Sequence, residues 1–104
     1  MNKITGTIIT LNAEKYIERA IKSLLNICDE VIVLDSESSD STRDIAMKSG
    51  AKVFVQTFLG DGGQKKEASK FSKNNRIFSM DADEYLANDL IEFIKKIKLD
   101  DDYD

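Results

Sequence analysis

Hydrophobic and polar positions follow two different periods along the chain. Short runs of β-branched and other apolar residues predict four strands, over residues 4–10, 30–35, 52–55 and 76–80. Apolar residues at helical spacing predict four helices, over residues 13–27, 40–50, 64–73 and from 88 onward. We expect Asn12 to cap the first helix and Gly50 to follow the end of the second. Strand and helix are therefore expected to alternate along the whole chain.

This alternation predicts the α/β class, with an open, mainly parallel sheet covered by helices on both faces. The adjacent apolar pair Ile8 and Ile9 indicates a first strand that is buried on both faces, as in parallel sheets. Right-handed crossovers favour the strand order 3-2-1-4, in which the first strand lies between the second and the fourth. No linker or repeat interrupts the 104 residues, so we predict a single domain, 1–104.

Composition and charge exclude several classes of protein. A net charge of −4 provides no basic surface for nucleic acid, so we predict no nucleic-acid partner. The chain has no histidine, which removes Ser-His-Asp and Cys-His hydrolysis and His-rich zinc sites. Neither a dinucleotide-binding glycine motif nor a P-loop is present. The lone Cys28 and the lack of a leader or a long apolar run predict a cytoplasmic location.

Polar side chains follow the carboxyl ends of three predicted strands: Thr10 and Asn12, then Asp35, then Asp81 and Asp83. Ligands of open parallel sheets bind outside the carboxyl ends of strands, so we expect these side chains along one rim. On an extended backbone, Asp81 and Asp83 leave the same face, and two carboxylates that close repel each other unless they share a cation or a proton. Their oxygen atoms suit Mg²⁺ or Mn²⁺, which take further ligands from water and substrate phosphates.

A resemblance to a known family rests on five stretches: residues 8–14, 33–40, 50–53, 58–65 and 79–84. In this order they resemble family 2 glycosyltransferases of the GT-A type, in particular a bacterial branch of lipopolysaccharide-core β-glucosyltransferases. The resemblance implies the Rossmann-like nucleotide-binding half of that fold. It also implies an inverting transferase that uses a UDP-sugar and Mg²⁺ or Mn²⁺. The acceptor it implies is a saccharide or lipid-linked saccharide of the cell envelope, reached at the inner face of the membrane.

The resemblance also assigns roles to single residues. It implies a set of donor-binding residues: Thr10, Asn12, Glu14, Asp35, Lys65 and Asp81. Within this set, Asp35 would sit near the base and Lys65 would reach a phosphate. Asp83 would be the main metal ligand, with Asp81 beside the ribose or diphosphate, and the cation would stabilise the departing diphosphate.

Two positions depart from the pattern of this branch. Ala13 stands where a glutamate is usual, and Glu37 stands where a glycine is usual. Glycine at that turn would permit a positive φ, whereas glutamate brings bulk and negative charge toward an anionic donor. We expect both changes to weaken donor binding.

Members of the family continue well past 104 residues, and their later strands carry the acceptor site and the catalytic base. We therefore expect this chain to be the donor-binding part, truncated before the acceptor-binding part. No catalytic residue is assigned, because Glu84 lies too close to the metal motif for that role.

Two alternatives to a transferase stay open at this point. The first is a non-catalytic remnant that forms a homodimer through an exposed sheet edge. The second is a flavodoxin-like signalling module, although Leu11 and Asn12 stand where such a module would have paired acids. Structural roles also compete at single positions: Asn12 as a helix cap, and Asp81 with Asp83 as an acidic, solvated turn.

Overall fold

The computed structural model describes residues 3–57, 61–74 and 76–99. Strands and helices alternate as predicted, in the order β1 Ile4–Thr10, α1 Ile17–Leu25, β2 Glu30–Asp35, α2 Thr42–Lys48, β3 Lys52–Val55, α3 Asp61–Ser69, β4 Arg76–Asp81 and α4 Asn88–Leu99. Among the helices of these ranges, none combines the length and the apolar character of a membrane-spanning segment.

The four strands form one parallel sheet in the order β3-β2-β1-β4, which confirms the predicted topology. At its carboxyl end, β1 pairs Thr10 with Asp35 of β2 and Ile9 with Asp81 of β4. The ends of these three strands therefore meet at one edge of the sheet, where polar residues were predicted to converge.

The core lies between the centre of the sheet and α1. All six residues of β2 are buried, and the apolar stripe of α1 is fully buried at Ile17, Ile21 and Leu24. Burying each such side chain contributes about 1.5–3 kcal/mol.

In contrast, Met80 is the buried residue of β4, a terminal strand of the described sheet. Pairing of a second copy along β4 stays a prediction.

Several predicted boundaries are wrong, and the first helix is the clearest case. Its N-cap is Tyr16, not Asn12, because Asn12 has a left-handed backbone (φ 50°) outside the helix. The helix predicted over 64–73 runs from Asp61 to Ser69 instead. It therefore includes residues 61–63, which precede the predicted helix, while residues 58–60 lie outside the described residues. Gly50 is confirmed after the C-cap of α2, with φ 102°.

A buried carboxylate joins the amino ends of the strands, opposite the predicted site. Glu30 accepts hydrogen bonds from the Thr5 hydroxyl (2.8 Å), the Lys73 backbone N–H (2.7 Å) and Lys52 Nζ (3.2 Å). Burial alone would raise the pKa of Glu30, but these hydrogen bonds and the charge of Lys52 together lower the pKa below its usual value.

We expect Glu30→Gln to lower the free energy of unfolding by about 2 kcal/mol at neutral pH, because buried hydrogen bonds to a charged group are lost. A lowered folded-state pKa stabilises the fold above the unfolded-state pKa, and this contribution disappears as pH falls through the folded value. In urea unfolding, the difference between variant and wild type should therefore shrink as pH falls below the usual pKa of a glutamate carboxyl. Glu18→Gln, at an exposed ion pair with Lys22, is the control. A difference that stays constant with pH would contradict this role.

Candidate functional site

A cleft of about 510 Å³ opens at the carboxyl ends of β1, β2 and β4. It is lined by Ile9, Thr10, Leu11, Ser36, Lys65, Asp81 and Asp83. Four residues predicted from the sequence therefore share one cleft: Thr10, Lys65, Asp81 and Asp83. The rim that topology predicted is thus a concave surface that carries charges of both signs.

The two carboxylates reach the cleft from a strand end and from the turn after it. β4 ends at Asp81, and the Glu84 N–H donates to the Asp81 carbonyl (3.1 Å) to close the turn. The Glu84 carboxylate accepts the Asp81 N–H in return (2.9 Å). The extended backbone assumed in the prediction thus stops before Asp83. A turn, and not strand alternation, brings Asp83 to the cleft, and Glu84 has a structural role in that turn.

The Thr10 hydroxyl is unusual within the cleft. Thr10 is 6% exposed, and in the described part of the chain its Oγ1 is the buried side-chain polar atom that has no hydrogen-bond partner. Buried polar groups are nearly always hydrogen-bonded. Thr10 lines the cleft, but its Oγ1 is itself buried, so the hydroxyl becomes available to a bound ligand only when the side chain rotates.

Asn12 and Glu14 do not line the cleft but join the two loops that border it, residues 11–16 and 36–41. The Asn12 N–H donates to Ser38 Oγ, and Asn12 Oδ1 accepts the Ser39 N–H, both at 2.8 Å. The Glu14 carboxylate accepts the Ser41 N–H at 3.1 Å. We call these two loops and the hydrogen bonds between them the loop clamp. Direct donor contacts of Asn12 and Glu14 stay predictions.

Asp35 is fully buried and holds one loop of the loop clamp, residues 36–41, in place. Its carboxylate accepts the Ser38 N–H (2.7 Å) and the Ser38 hydroxyl, and it pairs with the Arg43 guanidinium at 3.3 Å. A buried carboxylate requires such partners, since an unpaired charge is costly to desolvate. In this conformation Asp35 supports the turn and is not among the cleft residues, so its contact with a base stays a prediction.

Thr42 closes the loop clamp on the side of α2. Its buried hydroxyl accepts the Ala13 N–H at 2.8 Å and donates to the Asp40 carboxylate. The Thr42 hydroxyl and the backbone N–H groups of Thr42 and Glu14 lower the pKa of Asp40, against the opposing effect of burial. Ala13, one of the two departures from the family pattern, is itself buried in the core.

Glu37 stands where the family pattern has glycine, and it adopts a left-handed backbone conformation with φ 64°. A non-glycine residue pays for this conformation with backbone strain. We expect Glu37→Gly to raise the free energy of unfolding by about 1 kcal/mol, measured by thermal or urea unfolding. Glu37→Ala keeps the strain and is the matched control. Equal stability of the two variants would contradict the presence of strain here.

Sequence reasoning missed Gln64 as a site residue. Gln64 is fully buried on α3, and its Nε2 donates to Ser36 Oγ at 2.9 Å. Gln64 lies four residues before the buried Ala68 and thus on the same helix face. A polar residue at an inward-facing helical position was the available signal.

The carboxylate oxygen atoms of the cleft suit a divalent cation such as Mg²⁺ or Mn²⁺. Among the described residues, no group of three or more His, Cys, Asp or Glu side chains is placed to hold a metal ion. Asp81 and Asp83 offer two carboxylates, which Mg²⁺ and Mn²⁺ accept while taking their other ligands from water and phosphates. The pair therefore fits a cation that binds together with a diphosphate, rather than one held by protein atoms alone.

The chain is similar to known proteins over nearly its whole length. The family described as "Glycosyl transferase family 2" matches residues 7–104. The chain is 52% identical over 95 residues to an uncharacterized glycosyltransferase of Rickettsia bellii, covering 91% of this chain and 32% of that protein. It is 30% identical over 99 residues to the lipopolysaccharide core biosynthesis glycosyltransferase LpsC of Rhizobium meliloti, covering 90% and 36%. The chain thus spans about a third of the length of these relatives.

Solved structures show the same fold. Glucosyl-3-phosphoglycerate synthase from Mycobacterium tuberculosis, in complex with Mn²⁺, UDP and glucosyl-3-phosphoglycerate, has a TM-score of 0.70 at 26% identity. That match covers 81% of this chain and 36% of the synthase. Residues 1–349 of S. aureus TarS have a TM-score of 0.72 at 25% identity, covering 91% of this chain and 32% of the other.

Proposed function

The chain belongs to glycosyl transferase family 2, and from that premise we propose that its cleft binds a UDP-sugar together with Mg²⁺ or Mn²⁺, as the donor site of an inverting transferase. The observation that carries this proposal is the meeting of the Lys65 side chain and the carboxylates of Asp81 and Asp83 in one cleft, beside Thr10. The synthase with similar structure is in complex with Mn²⁺ and UDP, which supports this ligand class.

Each cleft residue has a proposed role that follows from its chemistry. Asp81 and Asp83 would hold the cation, which when bound supplies positive charge that stabilises a departing diphosphate. Lys65 presents three N–H donors and a positive charge to a phosphate oxygen. Rotation of the Thr10 side chain would let its hydroxyl donate a hydrogen bond to the ligand. The loop clamp keeps the β1 and β2 ends of the cleft in fixed positions, so that little ordering is needed when the donor binds.

The acceptor side of the reaction rests on similarity alone. The name of LpsC links that relative to lipopolysaccharide core biosynthesis. We extend this to an acceptor that is a saccharide or lipid-linked saccharide of the cell envelope, at the inner face of the membrane. The base that deprotonates the acceptor is proposed to belong to the part of the relatives that this chain does not span, so residues 1–104 form the donor-binding part.

Calorimetric titration of the chain with UDP, with and without Mn²⁺, tests this function. We expect binding in the presence of Mn²⁺, weakened by about tenfold or more without it, because the diphosphate then meets two uncompensated carboxylates. Circular dichroism establishes that the protein is folded. A folded protein that binds no UDP in the presence of Mn²⁺, or that binds it equally well without the cation, would overturn the proposal.

A further inference from the structure

A second cavity, of about 300 Å³, opens at the amino ends of the strands, at the edge of the sheet opposite the cleft. Three lysines and two carboxylates contribute to its walls: Lys3, Asp29, Glu30, Lys52 and Lys73. Asp29 accepts the Ile4 N–H at 2.8 Å, and Glu30 is buried. The lysines come from three separate segments, before β1, on β3 and after α3. Lysine side chains from different parts of the chain therefore converge on one small cavity.

The Glu30 carboxylate brings two of these lysines together. It accepts a hydrogen bond from Lys52 Nζ at 3.2 Å and another from the Lys73 backbone N–H at 2.7 Å. The side-chain amide of Asn74 donates to the Thr5 hydroxyl at 3.0 Å, which fixes the chain on the other side of Lys73. The Lys73 side chain consequently lies in hydrogen-bond contact with the amine of Lys52.

The two amines differ in their distance from the carboxylate. Lys52 pairs with Glu30 through its side chain, whereas Lys73 bonds to Glu30 through its backbone. Two ammonium groups in contact repel each other, so one of the two protons is held less firmly. The hydrogen bond with Lys52 and the charge of Lys52 lower the pKa of Lys73, against the attraction of Glu30. The hydrogen bonds with Lys73 and Glu30 raise the pKa of Lys52, so Lys73 is the amine that loses its proton first.

We propose that Lys73 is a site of covalent acylation, at which the side-chain amine takes an acyl group from an acyl phosphate. The lone pair of the neutral Nζ attacks the acyl carbon, a C–N bond forms, and the C–O bond to the phosphate breaks. Phosphate leaves with the bonding electrons, the proton released by nitrogen passes to the phosphate or to water, and the product is an uncharged amide.

Two features of the cavity suit this reagent. Lys73 is exposed on a flexible side chain, so its amine can rotate away from Lys52 and present its lone pair to the acyl carbon. The phosphate group of the reagent is anionic, and the ammonium groups of Lys3 and Lys52 in the same cavity attract it. Acylation of Lys73 also removes the repulsion beside Lys52 and leaves the pair of Lys52 with Glu30 in place.

The test treats the protein with acetyl phosphate over a series of pH values, and mass spectrometry measures the initial rate of acetylation at each lysine. At about pH 7.5 we expect Lys73 to react about fivefold faster than Lys48, which is exposed in the last turn of α2. The ratio of the two rates should fall as pH rises, because a growing share of both amines is then neutral. Lys52→Met removes the neighbouring charge and should bring the two rates close together, whereas Lys52→Arg keeps the charge and should preserve the difference.

Lys70→Met is the matched control, since Lys70 is close to Lys73 in sequence but pairs with Glu67 and does not line the cavity. It removes the same formal charge as Lys52→Met and should leave the ratio unchanged. Lys52→Gln replaces Lys52→Met if circular dichroism shows that the latter does not fold. Equal rates at Lys73 and Lys48 in wild type, a ratio that is constant with pH or persists in urea, or an unchanged ratio in the folded Lys52 variant would overturn the inference.

Discussion

Asp35→Ala is expected to lower the free energy of unfolding by about 3 kcal/mol, the largest effect on stability among the site residues. The carboxylate is fully buried and accepts two hydrogen bonds from Ser38, and it pairs with Arg43. Its removal leaves the Ser38 N–H without its partner beneath the loop clamp. The clamp should loosen as well, because Ser38 also accepts the Asn12 N–H.

Urea unfolding followed by circular dichroism measures this loss, and hydrogen exchange at Ser38 and Asn12 reports the loosening of the loops. Asp35→Asn keeps one acceptor oxygen and should lose less stability than Asp35→Ala. The exposed Asp83→Ala is the control, with an expected change within about 0.5 kcal/mol. If Asp35→Ala is as stable as Asp83→Ala, the carboxylate of Asp35 does not anchor the turn.

Asp83→Ala is expected to have the opposite profile, with unchanged stability and the largest loss of ligand binding. Removing one of the two carboxylates that we propose hold the cation should weaken UDP binding in the presence of Mn²⁺ by about a hundredfold. Asp81→Ala should behave similarly, since both side chains line the cleft. Without Mn²⁺, the same variants should bind UDP no more weakly than wild type, because a repulsive charge has been removed.

The matched control for charge is Asp89→Ala, since Asp89 is exposed in the first turn of α4 and does not line the cleft. It removes the same formal charge and should leave UDP affinity unchanged. Equal losses in Asp83→Ala and Asp89→Ala would show that net charge, and not a cation site, controls binding. A loss in Asp83→Ala that persists without Mn²⁺ would also contradict the assigned role.

Much of the fold could be predicted because it depends on local patterns. Apolar periodicity identifies the strands and helices, and right-handed crossovers then determine the order β3-β2-β1-β4. Once this order is known, the carboxyl ends of β1, β2 and β4 must share one edge. The meeting of Thr10, Asp81 and Asp83 at one cleft follows from that topology, whereas Lys65, on α3, was assigned by the family resemblance.

Contacts between distant segments could not be predicted from these patterns. Asn12 has the side chain of a helix cap, but it bonds to Ser39 of another loop, so α1 starts later than its sequence indicates. Phe71 falls within the helix predicted over residues 64–73. It lies beyond the end of the helix and stacks on Phe54 of β3, with ring centroids 3.9 Å apart.

Contacts between distant segments also decide which of the predicted site residues line the cleft and which bond to a neighbouring loop. The strand-end pattern groups Asn12 and Asp35 with the cleft residues, and the family resemblance adds Glu14. Whether a polar group faces the ligand or a neighbouring loop depends on the path of residues 36–41, which no local pattern determines. Gln64 was missed for a related reason, because its partner Ser36 is distant in sequence.

The central claim is that a cation and a nucleoside diphosphate bind together at the carboxyl ends of β1, β2 and β4. The most direct measurement is paramagnetic broadening of backbone amide NMR signals by substoichiometric Mn²⁺ in the presence of UDP. We expect the strongest broadening at residues 81–83, weaker broadening at Thr10 and Lys65, and none around Glu30, at the amino ends of the strands. Broadening centred near Glu30, or no selective broadening in a folded protein, would contradict it.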